Sequence, residues 1–96
     1  MIVKEHPCFS EWFANLKDPT TKFKITSRIG RVSCGLLGDS HSVGDGVSEL
    51  RLHFGSGYRL YYTIRNRQII ILLISGDKSS QCKDIAKAKR LAKEIL

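Results

Sequence analysis

Two prolines, one tryptophan, one methionine and three cysteines are all that this 96-residue chain holds of those residue types, and each scarcity removes a class of explanation. Cys8, Cys34 and Cys82 are odd in number and widely spaced, with no CxxC pair, so neither a thiolate zinc site nor a disulfide framework is expected. Reduced thiols and a cytoplasmic setting follow. The longest apolar run, Ile69–Ile74, is of strand length and well short of the roughly 18 residues of a membrane span. Lys4, Glu5 and His6 interrupt the apolar core that a signal peptide at Met1 would need. There is no GxSxG, HExxH, GxxxxGK[ST] or GxGxxG, and no paired-carboxylate motif. No metal and no cofactor are therefore expected. Acidic residues are also scarce: nine stand against sixteen Lys and Arg, for a net charge of +7. That balance favours a polyanionic partner such as nucleic acid, with a merely soluble basic protein as the bland alternative.

The positive charge is uneven. Lys17, Lys22, Lys24, Arg28 and Arg31 face only Asp18, and Lys78, Lys83, Lys87, Lys89, Arg90 and Lys93 face only Asp84 and Glu94. Residues 36–57 are net acidic.

The length suits one domain, 1–96. Met1–Val3 reads as a short N-terminal edge strand. Pro7 suits a first helical turn, and Phe9, Trp12, Phe13 and Leu16 make one apolar stripe behind it. At this spacing Trp12 reads as core, with base stacking the sharper alternative. Asp18-Pro19 starts a second helix, Asp18 as cap and Pro19 at the first helical position. Ile25, Ile29, Val32 and Leu36 form its core face, and Lys24, Arg28 and Arg31 its solvated side. The two helices form a hairpin. Gly35–Gly46, with four glycines and no apolar periodicity, reads as a plain connector.

A three-stranded meander then fills Glu49–Ser80. Val47–Phe54 alternates, Gly55-Ser56-Gly57 turns, Tyr58–Arg65 alternates again, and Asn66-Arg67 turns into Ile69–Ile74. That last strand, apolar throughout, is expected to be buried on both faces or central in the sheet. Ser79 or Ser80 caps a C-terminal helix with Ile85, Ala88, Leu91 or Ala92, and Ile95 as its buried stripe. The fold class is α+β: a small antiparallel sheet with two N-terminal helices and a C-terminal helix.

Strand parity is informative. If Leu50, Leu52, Leu60 and Ile64 face the helices, then Glu49, Arg51, His53, Arg59, Tyr61 and Arg65 share the opposite, solvated face. Arg51 and Arg59 flank the glycine turn on neighbouring strands and can converge on one anion. Metal-free RNA cleavage needs a base for the 2′-OH, cations for the phosphorane, an acid for the 5′-oxygen and a surface that positions the target base. Arg51 and Arg59 suit the phosphorane, because a guanidinium donates two bonds and keeps its charge. Lys78 suits phosphate binding or proton transfer. Tyr61 and His53 are candidates for stacking or proton shuttling. Asp77 reads either as a base or as a turn cap. Each arginine, taken singly, also reads as a solvated strand residue.

The blocks Gly44-Asp45-Gly46-Val47-Ser48-Glu49-Leu50-Arg51, Gly55-Ser56-Gly57-Tyr58-Arg59-Leu60-Tyr61-Tyr62 and Gly76-Asp77-Lys78-Ser79-Ser80-Gln81, followed by Asp84-Ile85 and Ala88, resemble the HigB-like branch of the RelE/ParE superfamily. These are toxins of bacterial type II toxin–antitoxin modules. The resemblance implies two N-terminal helices on one side of a small antiparallel sheet. It implies a ribosome-dependent mRNA endonuclease that blocks translation, and a cognate antitoxin, a small helix-turn-helix protein. Arg59 matches the arginine that relatives use for phosphate stabilisation, Arg51 a basic strand position, and Lys78 a basic residue near the scissile phosphate. Ser56 stands where the branch commonly has proline. Ile85 stands where some relatives use a tyrosine, so the acid–base role stays open among the remaining candidates. Two other functions stay open as well: a ParE-like gyrase inhibitor that acts by binding, and a non-enzymatic double-stranded-RNA-binding module.

Overall fold

Ile69–Ile74 becomes the inner part of a strand with neighbours on both sides. A computed structural model describes residues 1–95; Leu96, the last residue of the expected unit, lies outside the described residues. Along the chain run β1 (Ile2–Glu5), α1 (Pro7–Ala14), α2 (Pro19–Ser33), β2 (Ser40–Gly44), β3 (Val47–Arg51), β4 (Arg59–Arg65) and β5 (Ile69–Gly76), then a single 3-10 turn (Lys78–Ser80) and α3 (Gln81–Glu94). The strands form one sheet in the order β1-β5-β4-β3-β2.

Two features correct the three-stranded expectation. The edge strand β1 runs parallel to β5, with Ile2 beside Ile69 and Glu5 beside Leu72. The supposed connector contains β2, which pairs antiparallel with β3 through the tight turn Gly44-Asp45-Gly46. Asp45 and Gly46 both have positive φ there, 55° and 76°, as a two-residue hairpin turn requires. The sequence hides β2 because an edge strand with one neighbour needs little apolar content. Ser40-His41-Ser42 is polar, and Ser40 is held instead by a 2.7 Å bond between its hydroxyl and that of Tyr62.

Helix starts follow their local chemistry. Asp18 accepts from the Thr20 amide and the Thr21 hydroxyl, at 3.2 and 2.8 Å, and Pro19 takes the first position of α2. These donors also hold the Asp18 carboxyl below its usual range, the Thr21 hydroxyl most of all. The His6 ring caps α1 by accepting from the Cys8 amide.

The sheet separates two cores. On one face Phe9 of α1 and Ile25 and Val32 of α2 meet Leu50, Leu52, Leu60, Tyr62, Ile70 and Leu72. On the other, Ala88, Leu91 and Ala92 of α3 meet Val47, Tyr61, Leu73 and Ile74. The period-two assignment of β3 and β4 is as expected for Leu50, Leu52 and Leu60, whereas Ile64, expected against the helices, is exposed near the end of β4. In β5 the register slips by one residue: Tyr61 pairs with Ile74 and Tyr62 with Leu72, so Leu73 is a bulge. Leu73 and Ile74 both turn toward α3 as a result. The face expected to be solvated is therefore roofed by α3 over most of its length. Small alanines on α3 let the helix approach the strands closely. Arg65 fastens its far end by donating to the Ala92 carbonyl at 3.1 Å.

Candidate functional site

The roof stops short of one end of the sheet, where β3 leaves and β4 enters. Arg51 and Arg59 are directly paired across these strands, and Glu49 pairs with Tyr61 two residues further in. Glu49 is the organising residue and was absent from the sequence-derived set. It is only 1% exposed. The Arg51 Nε donates to its Oε1 at 2.7 Å. The side-chain amide of Gln81, from the first turn of α3, spans both oxygens at 3.3 and 3.1 Å. The Arg59 Nε lies 3.9 Å from Oε2. A buried carboxylate thus ties two cations and the start of α3 together, and it holds the Arg51 guanidinium above its usual range. The legible signal was Glu49-x-Arg51 on one strand face, directly across from Tyr61 and Arg59.

Arg59 is 11% exposed along its side chain. Its Nη1 donates 2.8 Å to the Gly57 carbonyl, which aims the guanidinium at the turn. Gly55-Ser56-Gly57 docks on the 3-10 turn through the Lys78 amide, which donates 3.3 Å to the Ser56 carbonyl. A side chain at Gly57, where φ is +77°, would lie 3.2 Å from the Lys78 Cβ and 3.3 Å from the Arg59 Nη1. Glycine therefore lets the two cationic residues flank the same backbone. Lys78 itself is exposed.

The other sequence candidates are placed differently. Tyr61 is fully buried beneath α3 and cannot stack a base. Its hydroxyl makes no hydrogen bond among the described residues. Burial first, then the neighbouring Glu49 and Asp84 carboxylates, push that phenol well above its usual range. Parity placed Tyr61 correctly; the covering helix was the missing term. His53 lies beyond the end of β3, exposed, with its Nε2 bonded to Asp39. Asp39 bonds His41 as well, and these two rings, His53 foremost, hold its carboxyl below the usual range. Asp77 caps the 3-10 turn: its Oδ1 accepts from the Ser79 amide and hydroxyl at 2.9 and 2.6 Å. Those donors hold its carboxyl below the usual range, the Ser79 hydroxyl most of all.

Arg28, expected on a solvated helix face with Lys24 and Arg31, is buried. Its guanidinium donates to the carbonyls of Leu37, Asp39 and Arg51 at 3.0–3.3 Å. Burial lowers its pKa from the usual arginine value. It clamps the segment before β2 to the end of β3, and so fixes the backbone that carries Arg51. Among the described residues no cluster of three His, Cys, Asp or Glu could hold a metal. No helix among them is long and apolar enough to cross a membrane.

The architecture is similar to that of the E. coli RelE toxin. The chain superposes on the isolated E. coli RelE toxin with a TM-score of 0.67 at 17% identity, covering 99% of this chain and 98% of that one. An arginine-substituted E. coli RelE in the free state gives 0.71 at 14%, over 99% and 97%. The intact E. coli RelBE toxin–antitoxin complex gives 0.66 at 14%, over 79% and 94%. At such identities the likeness is one of fold. Sequence similarity identifies the family: residues 13–96 match the phage derived protein Gp49-like family (DUF891), and the chain belongs to it. An uncharacterized protein of Haemophilus influenzae is 46% identical over 93 residues, 97% of this chain and 94% of that protein.

Proposed function

We propose that the chain is the toxin of a type II toxin–antitoxin module, of the HigB-like branch, and that it acts as a metal-independent, ribosome-dependent mRNA endonuclease. The observation that carries this reading is the direct cross-strand pairing of Arg51 and Arg59, both beside buried Glu49, with Arg59 and the Lys78 backbone flanking Gly57. The RelE-like fold supports it, and the RelBE complex supports an antitoxin as partner.

In this reading the phosphate sits against the Arg59 and Arg51 guanidinium edges that Glu49 does not use. As the 2′-oxygen attacks, charge builds on the phosphorane and meets donors that are already oriented, so little reorganisation is needed. Lys78 adds a mobile point charge beside them. For proton transfer, burial removes Tyr61, and Asp77 is engaged in its turn. Lys78 and His53 remain as the exposed candidates, with Asp39 orienting the His53 ring.

The test is addition of purified protein to a translation extract, with mapping of new mRNA 5′ ends. New cuts are expected, and Arg59→Ala should reduce them about 100-fold or more, the usual loss for one oriented donor. Lys78→Ala should also reduce them. Cuts that survive both substitutions would remove the assignment. Absence of cuts with loss of DNA supercoiling would point to a ParE-like gyrase inhibitor. Salt-sensitive binding to naked duplex RNA without cuts would point to a binding module.

A further inference from the structure

Phe23 on α2 is 72% exposed, more than any other large apolar side chain among the described residues. With Lys24, Ser27 and Arg31 of the same helix it walls a cleft of about 250 Å³; Leu52 and Phe54, just beyond β3, form the opposite wall. That volume lies below the roughly 300 Å³ of the smallest ligand pockets, so the cleft suits one apolar side chain rather than a whole small molecule. Phe23, Ser27 and Arg31 recur at every fourth residue and make one ridge of the helix. Serine is the low point of that ridge and opens the gap. Cations rim it. Lys24 and Arg31 stand two turns apart, roughly 10 Å along the axis, and neither makes an ion pair among the described residues. No described acidic residue lines the cleft. Arg28 and His53, also in its lining, are engaged with backbone carbonyls and with Asp39. The cleft lies on the α2 side of the sheet with Leu52 and Phe54, whereas Arg51 and Arg59 share the α3 side with Tyr61.

We propose that this cleft docks an acidic amphipathic helix of a protein partner, laid alongside α2 with one apolar side chain in the gap over Ser27. An exposed apolar patch with a polar rim marks an interaction surface, and a helix in a groove is read through anchors at helical spacing. Two carboxylates two turns apart on the partner meet Lys24 and Arg31, and the residue midway between them faces the gap. Charge decides against a second copy of this chain. The described helices α2 and α3 are both basic, and α1 carries one acidic residue, Glu11, with no partner a turn or two away. Nucleic acid would need open aromatic faces as well as cations. The Phe54 ring has the Lys24 ammonium over it, 4.6 Å from its centroid, and packs on Tyr58 at 5.4 Å. Phe23 is left as the one open ring of the lining, an anchor contact rather than a stacking track.

The probe is a synthetic alanine-based peptide of about 20 residues, long enough to be helical, with two glutamates two turns apart and a leucine midway. Its controls are the same peptide with lysines for the glutamates, and single-stranded oligouridylate. Amide NMR on the full chain should show saturable shifts clustered at residues 23–31 and 52–54 with the glutamate peptide, weakening as salt is raised. Phe23→Ala, at an exposed position that the fold does not need, should weaken binding about tenfold or more, as loss of a buried interface anchor does. Ser27→Phe should fill the gap and block it. The double variant Lys24→Glu, Arg31→Glu should exchange the preference, so that the lysine peptide binds and the glutamate peptide does not. No saturable response, equal binding of the two peptides, or affinity unchanged in Phe23→Ala overturns the proposal. So does tighter binding of oligouridylate with the same shifts, which assigns the cleft to nucleic acid, or self-association that Phe23→Ala removes, which assigns it to a second copy. The nuclease reading is tested apart: Phe23→Ala should leave mRNA cutting unchanged, and peptide docking in a protein that makes no cuts upholds the cleft while removing that reading.

Discussion

Replacing Glu49 by Gln alters one oxygen and one charge at the residue that organises the site. The side chain is 1% exposed, so no water replaces what is lost. Glutamine keeps one acceptor, which the Arg51 Nε can still use. Its amide nitrogen then faces either the Gln81 amide or the Arg59 Nε, a donor against a donor in both cases. A hydrogen bond to a charged partner contributes roughly 1.5–3 kcal/mol. Breaking a fully buried ion pair by removing one partner costs about 3–5 kcal/mol. Arg51 is 36% exposed along its side chain and regains hydration, while Arg59, at 11%, does not. The lower part of the range follows, about 3 kcal/mol. At roughly 4–8 °C per kcal/mol for a domain this size, Tm should fall by about 12–24 °C. Urea unfolding measures the free energy directly, and an unchanged slope shows that the denatured state is unaffected. A cycle with Arg51→Gln should give a coupling of about 0.5 kcal/mol or more, the threshold for residues that share a network. If Glu49→Gln costs under about 1 kcal/mol, an ordinary single hydrogen bond, or if the cycle shows no coupling, the picture of Glu49 as the tie between the arginines is wrong. Under the proposed function the same variant should also cut mRNA at least tenfold more slowly, since small displacements of a positioning group cost up to about 100-fold.

Arg28→Met keeps the aliphatic stem but removes the guanidinium donor from the Leu37 and Arg51 carbonyls, while the Asp39 carbonyl keeps the Arg51 amide; a loss of about 2–3 kcal/mol is expected in urea unfolding, at the scale of unsatisfied buried groups, and a neutral effect would return Arg28 to the solvated class. Acid should destabilise the fold through Asp18, Asp39 and Asp77, whose carboxyls are all held below their usual value by hydrogen bonds. Their contribution is complete above the unfolded carboxylate value of about 3.9 and disappears as pH falls through the lower folded values. The urea midpoint should therefore drop steeply below about pH 4, and Asp18→Asn should flatten that drop; a midpoint constant through this range refutes the assignment.

Local chemistry carried a good part of the fold into the sequence. Asp18-Pro19 starts α2, the glycine pair at Gly55 and Gly57 turns β3 into β4, and Asn66-Arg67 turns β4 into β5 with positive φ at both residues. These signals need only near neighbours. Alternation in β3 and β4 likewise assigned Arg51 and Arg59 to one face, where they pair directly across neighbouring strands.

What covers a face is a long-range matter. The sequence by itself determined which residues share the Glu49–Tyr61 face; the tertiary structure decided that α3 would roof it, burying Tyr61 and Glu49 and leaving only the Arg51–Arg59 end open. It also decided that Arg28 would turn inward, because the Leu37, Asp39 and Arg51 carbonyls meet there, and that polar Ser40–Gly44 would become a strand, because β3 offered an unpaired edge. Period and propensity report on a residue's own backbone. Desolvation, ion pairing and edge pairing depend on which distant segment arrives, and that is set only when the whole chain packs.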